Sequence, residues 1–341
     1  MKKKILVTGS AGFIGGYVVQ ELLQNGWEVV GIDNYSKYGK IEKSYDHAPG
    51  YTLVVGDVKN VGLMKELLSD CTDVLAGAAM IGGISYFHEF AYDLLAENER
   101  IIAATFDAAI DAHKRGTLKK ITVLSSSMVF ESTTVFPTPE GAELTSPPPL
   151  STYGFQKLSC EYFARGAHLQ YGLPYTIVRP FNCVGIGEQR ALCDKEVLSG
   201  NVKLAMSHVV PDLIQKIIKG QDPLHILGDG RQVRHYTYGG DLAKGIRVAI
   251  EHPKALMQDF NISTARSTTV LELAEIIWKK LKPTEPFRYT SDKPFEYDVQ
   301  QRVPDVKKSN EVLGYSADTS LEVILDEVIP WVSEQVRLGN I

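Results

Sequence analysis

Tyr153 and Lys157 stand four residues apart in Tyr-Gly-Phe-Gln-Lys, a spacing that places two side chains one above the other on a helix face. Upstream, Ser125, Ser126 and Ser127 follow the apolar run Ile121-Thr-Val-Leu124. A phenol held near an ammonium group has its pKa lowered. It can then take a proton from a substrate hydroxyl while hydride leaves the same carbon. A serine hydroxyl can hold the oxygen on which charge develops. Tyr-x-x-x-Lys is common in helices, so its weight depends on whether the surrounding elements bring a hydride acceptor to the same place.

The beginning of the chain supplies that acceptor. Lys4-Ile-Leu-Val-Thr8 is an apolar strand running into glycines at 9, 12 and 15. Gly9 permits a tight turn, Gly12 lets the backbone approach phosphate, and Gly15 lets helix and strand pack closely. Phe13, Val18 and Leu22 then recur at helical spacing, and Gly26 suits a helix C-terminus. This is how a sheet delivers a dinucleotide pyrophosphate to a helix N-terminus. A second apolar strand, residues 28–33, ends in Asp33, 24 residues after Gly9. A carboxylate there accepts the adenosine ribose hydroxyls and repels a 2′-phosphate, which favours NAD. Lys37 and Lys40 follow closely and leave NADP open at this point.

Strand-like segments at 51–56, 73–79, 120–125 and 174–179 alternate with helix-like segments at 60–69, 91–115 and 155–171. Continuous apolar strands between amphipathic helices indicate a doubly wound parallel sheet, an α/β fold of the Rossmann type. After Arg179 the regularity fades, with helices expected at 208–219, 241–251, 269–281 and 320–337. The division expected is a dinucleotide-binding domain over 1–180 carrying the serine, tyrosine and lysine. A smaller α/β substrate lobe follows over 181–341, with segments that return to the main sheet. The chain has 341 residues, 44% of them hydrophobic, and a formal net charge of −5, which gives no basic stripe for nucleic acid. No apolar stretch is long enough for a membrane span. The four cysteines show no Cys-x-x-Cys pair, no metal-ligand pattern is present, and reduced thiols in a cytoplasm fit this usage.

With these motifs in place the chain resembles the extended short-chain dehydrogenase/reductase family, specifically its NAD-dependent nucleotide-sugar epimerases and dehydratases. Thr8-Gly-Ser-Ala-Gly-Phe-Ile-Gly15 resembles the family's cofactor loop, which implies cofactor contacts from Gly9, Gly12, Phe13, Ile14 and Gly15. The resemblance extends them to Asp33, Asn34, Asp57, Val58, Ala78 and Asn98, together with Tyr153 and Lys157. Aligning on Val129-Phe130 implies that Ser126 is the catalytic serine, with Ser127 beside the substrate. Arg179-Pro-Phe-Asn182, His208-Val209, Arg234 and Arg302 resemble the segments that hold a nucleoside-diphosphate sugar. Asn182, Val209, Arg234 and Arg302 are thereby implied as substrate residues. Guanidinium forks suit a diphosphate because they form charge-assisted bonds to its oxygens.

Within that family the dehydratases and decarboxylases carry an acid where Met128 stands, and the 3,5-epimerases a cysteine. Ser126, Tyr153 and Lys157 suffice for reversible oxidation at one carbon. The resemblance therefore implies 4-epimerisation of a UDP-sugar through a transient 4-keto intermediate, with NAD bound throughout. Alternatives are a dehydratase or 3,5-epimerase-like enzyme acting on a GDP-, CDP- or dTDP-sugar, or a non-catalytic NAD sensor. Ala79-Met-Ile-Gly-Gly83 is closer to the 3,5-epimerase loop, and residues 185–207, with Glu188, Arg190 and Cys193, are expected to be a solvated insertion or a lid. The family also pairs two long helices per subunit into a dimer interface, here 91–115 and 152–171, which implies a homodimer.

Overall fold

The computed structural model describes residues 3–82, 89–192, 194–205, 208–294 and 299–341. Its centre is a sheet of seven parallel strands. In chain order these are β1 (Lys4–Thr8), β2 (Glu28–Asp33), β3 (Tyr51–Val55), β4 (Asp73–Ala76), β5 (Lys120–Leu124), β6 (Tyr175–Pro180) and β7 (Gln258–Ile262). Their order across the sheet is β7-β6-β5-β4-β1-β2-β3. The helices are α1 (Phe13–Gln24), α2 (Val61–Leu67), α3 (Ala91–Lys114), α4 (Thr152–Tyr171), α5 (Val209–Ile218), α6 (Gly239–Glu251), α7 (Val270–Leu281), α8 (Lys307–Leu313) and α9 (Leu321–Leu338).

Alternation along each strand sends side chains to opposite faces, and both faces are covered. From β1, Leu6 enters the core formed with α2, α3 and α4, where Met64, Phe106 and Ala164 are buried. Ile5 and Val7 enter the opposite core with α1 and α6, among Val18, Leu22, Leu242 and Ile246. A third core joins α5, α7 and α9 around the fully buried Trp278. It also takes in the short strand 224–227, which pairs with 289–292. β7 lies beside β6 in the main sheet, so chain that follows α4 returns to its edge.

The expected elements are present with shifted ends, whereas β7, α8 and the short strands at 224–227 and 289–292 are not among the segments expected. The strand expected over 73–79 stops at Ala76, because the Gly77 and Ala78 amides donate to the Thr8 side chain at 3.0 Å instead of to a backbone carbonyl of a neighbouring strand. The helix expected over 155–171, α4, begins at Thr152 instead of 155. Ser151 caps it by accepting from Gly154 N at 3.0 Å, and Glu131 accepts from Ser151 Oγ at 2.7 Å. Residues 196–199 and 202–205 of the expected insertion form an antiparallel hairpin.

One ionic cluster ties the sheet edge together. Arg179 of β6, fully buried, donates from Nε and Nη2 to the two carboxylate oxygens of Glu161, each at 2.7 Å. Its Nη1 reaches Asp259 of β7 at 2.6 Å, and Nη2 lies 2.9 Å from Glu143. Ser125 at the end of β5 donates to Glu161 at 2.7 Å. Such a cluster offsets its desolvation only while every charge is partnered. Replacing the guanidinium with Arg179→Met leaves Glu161 and Glu143 buried with too little positive charge. A loss of about 3–5 kcal/mol is expected, read as a lowered urea midpoint. A loss below about 1 kcal/mol, the size of a surface pair, would show that the cluster does not hold the edge.

Candidate functional site

The strand order reverses at β1 and β4, whose connections leave in opposite directions. The carboxyl ends of an open parallel sheet form a crevice at such a point. A cleft of about 1080 Å³ opens there. Gly9, Asp33, Ala78, Ser126 and Asn182, each at or just past the carboxyl end of a strand, line it together with Tyr153, Arg234 and Arg302.

At one end the glycine loop is shaped by sterics. Gly9 has φ +74°, and its N–H donates to Ile32 O at 2.9 Å. A Cβ on Gly15 would lie 2.1 Å from the Gly9 carbonyl oxygen, so only hydrogen fits where α1 crosses the turn. Gly12 caps α1 with no side-chain bond, and no acid stands in the first turn. The orphan N–H groups and the helix dipole are therefore left for an anion. Asp33 lines the cleft and accepts Ala11 N at 3.0 Å on one oxygen and Tyr35 N at 2.8 Å on the other. Each oxygen keeps a further lone pair for a ribose hydroxyl. These features fit a dinucleotide with an unphosphorylated ribose. Phe13, Ile14, Asn34, Asp57 and Val58 line the same end.

Asn98 occupies a different place. It is buried on α3 and holds Met80 with both ends of its amide, accepting from N at 2.6 Å and donating to O at 2.9 Å. It clamps the loop that carries Ala78 and Met80 to the cleft. Two further residues support the glycine loop and escaped the sequence reading. Tyr45 donates to Ser10 O at 2.9 Å, and Tyr51 donates to Ser10 Oγ at 3.1 Å. The available signal was the density of tyrosines between 35 and 51.

In the middle, Ser126 is extended and its Oγ accepts from Met128 N at 3.2 Å. Lys157 is buried and donates to Leu124 O at 3.0 Å, which draws its ammonium beneath the end of β5. Tyr153 packs with Leu94 and Met128, ringed by Met80, Ile81, Phe90 and Val299. The phenol thus sits among apolar side chains where it meets the cleft.

At the far end Asn182 has φ +38° and donates to His235 O at 3.4 Å. Arg234 Nη1 donates to Val233 O at 2.9 Å, and the Arg302 backbone N–H donates to the same oxygen at 3.2 Å, which brings the two segments together. The Tyr236 hydroxyl beside them is buried with no protein partner, and burial raises its pKa against the pull of both guanidinium groups. A buried orphan donor flanked by two cations calls for an acceptor from a ligand. Val209 opens α5 along the same wall. Of the remaining candidates, burial pushes the Cys183 thiol up and out of the nucleophilic range. Arg190 is spent on Asp194 O at 3.0 Å and Glu196 at 3.2 Å, and Cys193 lies outside the described residues.

The Gly15 contact predicts that Gly15→Ala abolishes cofactor retention while the chain still folds. Mass spectrometry of the denatured protein should release NAD from the native chain and none from the variant. NAD retained at the native level by Gly15→Ala would show that the turn is not the pyrophosphate cradle.

Comparison with known proteins agrees with this geometry. Residues 5–263 match the model of the NAD dependent epimerase/dehydratase family. A UDP-N-acetyl-alpha-D-glucosaminuronate decarboxylase from Bacillus cytotoxicus is 27% identical, over 98% of this chain and 99% of its own. The crystal structure of UDP-glucose 4-epimerase from Thermotoga maritima with UDP-glucose is 27% identical with a TM-score of 0.78, covering 98% of this chain and 99% of that one. That of UDP-glucuronic acid 4-epimerase from Bacillus cereus with UDP-glucuronic acid and NAD is 25% identical with a TM-score of 0.80, covering 97% and 99%. The chain belongs to the NAD-dependent epimerase/dehydratase family and is an enzyme that works with NAD.

Proposed function

We propose that the enzyme inverts C4 of a nucleoside-diphosphate sugar, with UDP as the favoured nucleotide, through a transient 4-keto sugar. The observation that carries this reading is the pairing of Tyr153, Lys157 and Ser126 in one cleft with Met128, an apolar residue, against the tyrosine. Bound NAD supplies the hydride acceptor and donor. Tyr153 takes the proton of the 4-hydroxyl and later returns it, and Lys157 stabilises the phenolate electrostatically. Ser126 donates to the oxygen at C4 as its charge changes. Arg234, Arg302 and Asn182 grip the diphosphate, so the keto sugar can rotate about a fixed anchor and present its other face. The UDP-glucose and UDP-glucuronic acid epimerases described above support the nucleotide and the reaction.

The test is incubation of the NAD-loaded enzyme with UDP-, GDP-, CDP- and dTDP-sugars, with products read by NMR. A C4 epimer from a UDP-sugar is expected, and Tyr153→Phe should lower turnover by at least about 10²–10⁴-fold. A decarboxylated or 6-deoxy-4-keto product would replace the reading by its dehydratase or decarboxylase alternative. Near-native turnover in Tyr153→Phe would remove the tyrosine from the mechanism.

The same reading includes a homodimer working in the cytoplasm, where reduced cysteines persist. On α4, Phe155, Tyr162 and Leu169 recur every seven residues and are 47%, 58% and 89% exposed. Tyr92 at the start of α3 is also exposed. An apolar stripe along a helix that packs on α3 suits the same stripe of a second copy. Light scattering should give twice the chain mass, and a monomer at micromolar concentration would overturn the assignment.

A further inference from the structure

We propose that His208, backed by Glu188, binds the substrate diphosphate as an imidazolium and takes up a proton when the ligand binds. The inference rests on the nucleotide-sugar reading and adds a phosphate contact that this reading does not contain. His208 directly precedes α5, and its ring lines the cleft with about half of its side-chain surface open. Its Nδ1 meets Oε1 of Glu188, a carboxylate buried in the loop after β6 that also lines the cleft. A buried carboxylate on Nδ1 fixes the ring and leaves Nε2 as the nitrogen for a ligand.

The charges around the ring come from four directions. Glu188 belongs to the loop after β6, Lys37 to the loop after β2, and Arg302 to the segment before α8. Asp212 stands one turn along α5, its N–H on the His208 carbonyl at 3.1 Å. Although half of the side-chain surface opens into the cleft, the enclosing cleft walls desolvate the ring, and with the positive charges of Lys37 and Arg302 they push the His208 pKa down to about 4. The Glu188 carboxylate in contact pulls the other way. A diphosphate gripped by Arg234 and Arg302 brings two negative charges to this point. It cancels the repulsion from Lys37 and Arg302 and gives the imidazolium an acceptor for Nε2–H. Each change favours the proton, so the bound-state pKa lies above that of the free enzyme. Affinity is then full below the free-enzyme pKa and falls as pH rises through the bound-state pKa.

The experiment is calorimetric titration of UDP-glucose into NAD-loaded enzyme in pairs of buffers of different ionisation heat over about pH 5–7, above the lowered pKa of the free-enzyme imidazole, where a rise on binding is read as uptake. The Tyr153→Phe background is used so that no proton moves at the sugar, and the phosphates of UDP-glucose hold no titratable proton near neutrality. Net proton uptake is expected. Adding His208→Asn should abolish the uptake and weaken binding roughly 10- to 100-fold, the worth of one charge-assisted bond. Glu188→Gln should keep the uptake but move its maximum to lower pH, because the imidazolium loses its counter-charge. Binding of UDP-glucose without proton uptake, or uptake unchanged in His208→Asn, would overturn the inference and leave the nucleotide-sugar reading standing. No binding of UDP-glucose at all would overturn both.

Discussion

A buried guanidinium is the interaction on which the catalytic end of the sheet depends. Arg179 joins β6 to α4 through Glu161 and to β7 through Asp259, and Glu161 also receives the hydroxyl of Ser125. Ser125 precedes Ser126, the serine proposed to act on the substrate, and Glu161 is one helical turn beyond Lys157. The strand that presents the serine and the helix that presents tyrosine and lysine are thus referred to one fixed point. A buried ion cluster contributes little net stability, because desolvation cancels most of its attraction. What it supplies is geometry: any displacement of α4 against β5 strands a charge away from water.

The cleft grades its electrostatics along its length. At the α1 end the donors are backbone amides and the acceptor is Asp33, a combination that holds one pyrophosphate and discriminates against an extra phosphate on the ribose. In the middle, Met80, Ile81, Met128 and Val299 belong to the apolar cluster that holds Tyr153. At the α5 end, Arg234, Arg302, Lys37 and His208 gather, opposed by Glu188 and Asp212. Under the proposed inversion, positive charge facing the second ligand would give it an anchor remote from the reacting carbon, leaving the sugar itself free to rotate.

Much of this was legible in the order of residues because the underlying causes are local. Strand and helix periodicity, the turn at Gly9 and the cap at Gly26 are set by neighbours a few residues away. Six strands of the doubly wound sheet and the ends of most expected helices could accordingly be read to within a few residues, but β7 could not, because its place is set by pairing with β6 across the sheet edge. The limits of that reading are also physical. The end of β4 depends on Thr8, far away in sequence, which takes the amides of Gly77 and Ala78. The start of α4 depends on Glu131, which holds the capping Ser151.

The sequence by itself determined the fold class, the dinucleotide loop and the types of group available for proton and hydride transfer. Their spacing constrains backbone conformation directly. Only the tertiary structure decided which partner each polar side chain takes. It turned Asn98 onto the Met80 backbone and set Tyr45 and Tyr51 beneath Ser10. It brought the segments of Arg234 and Arg302 together on one carbonyl and placed His208 against Glu188 across the cleft. These pairings join segments that meet only when the sheet has formed, and burial away from water makes each of them obligatory. No periodicity along the chain records them.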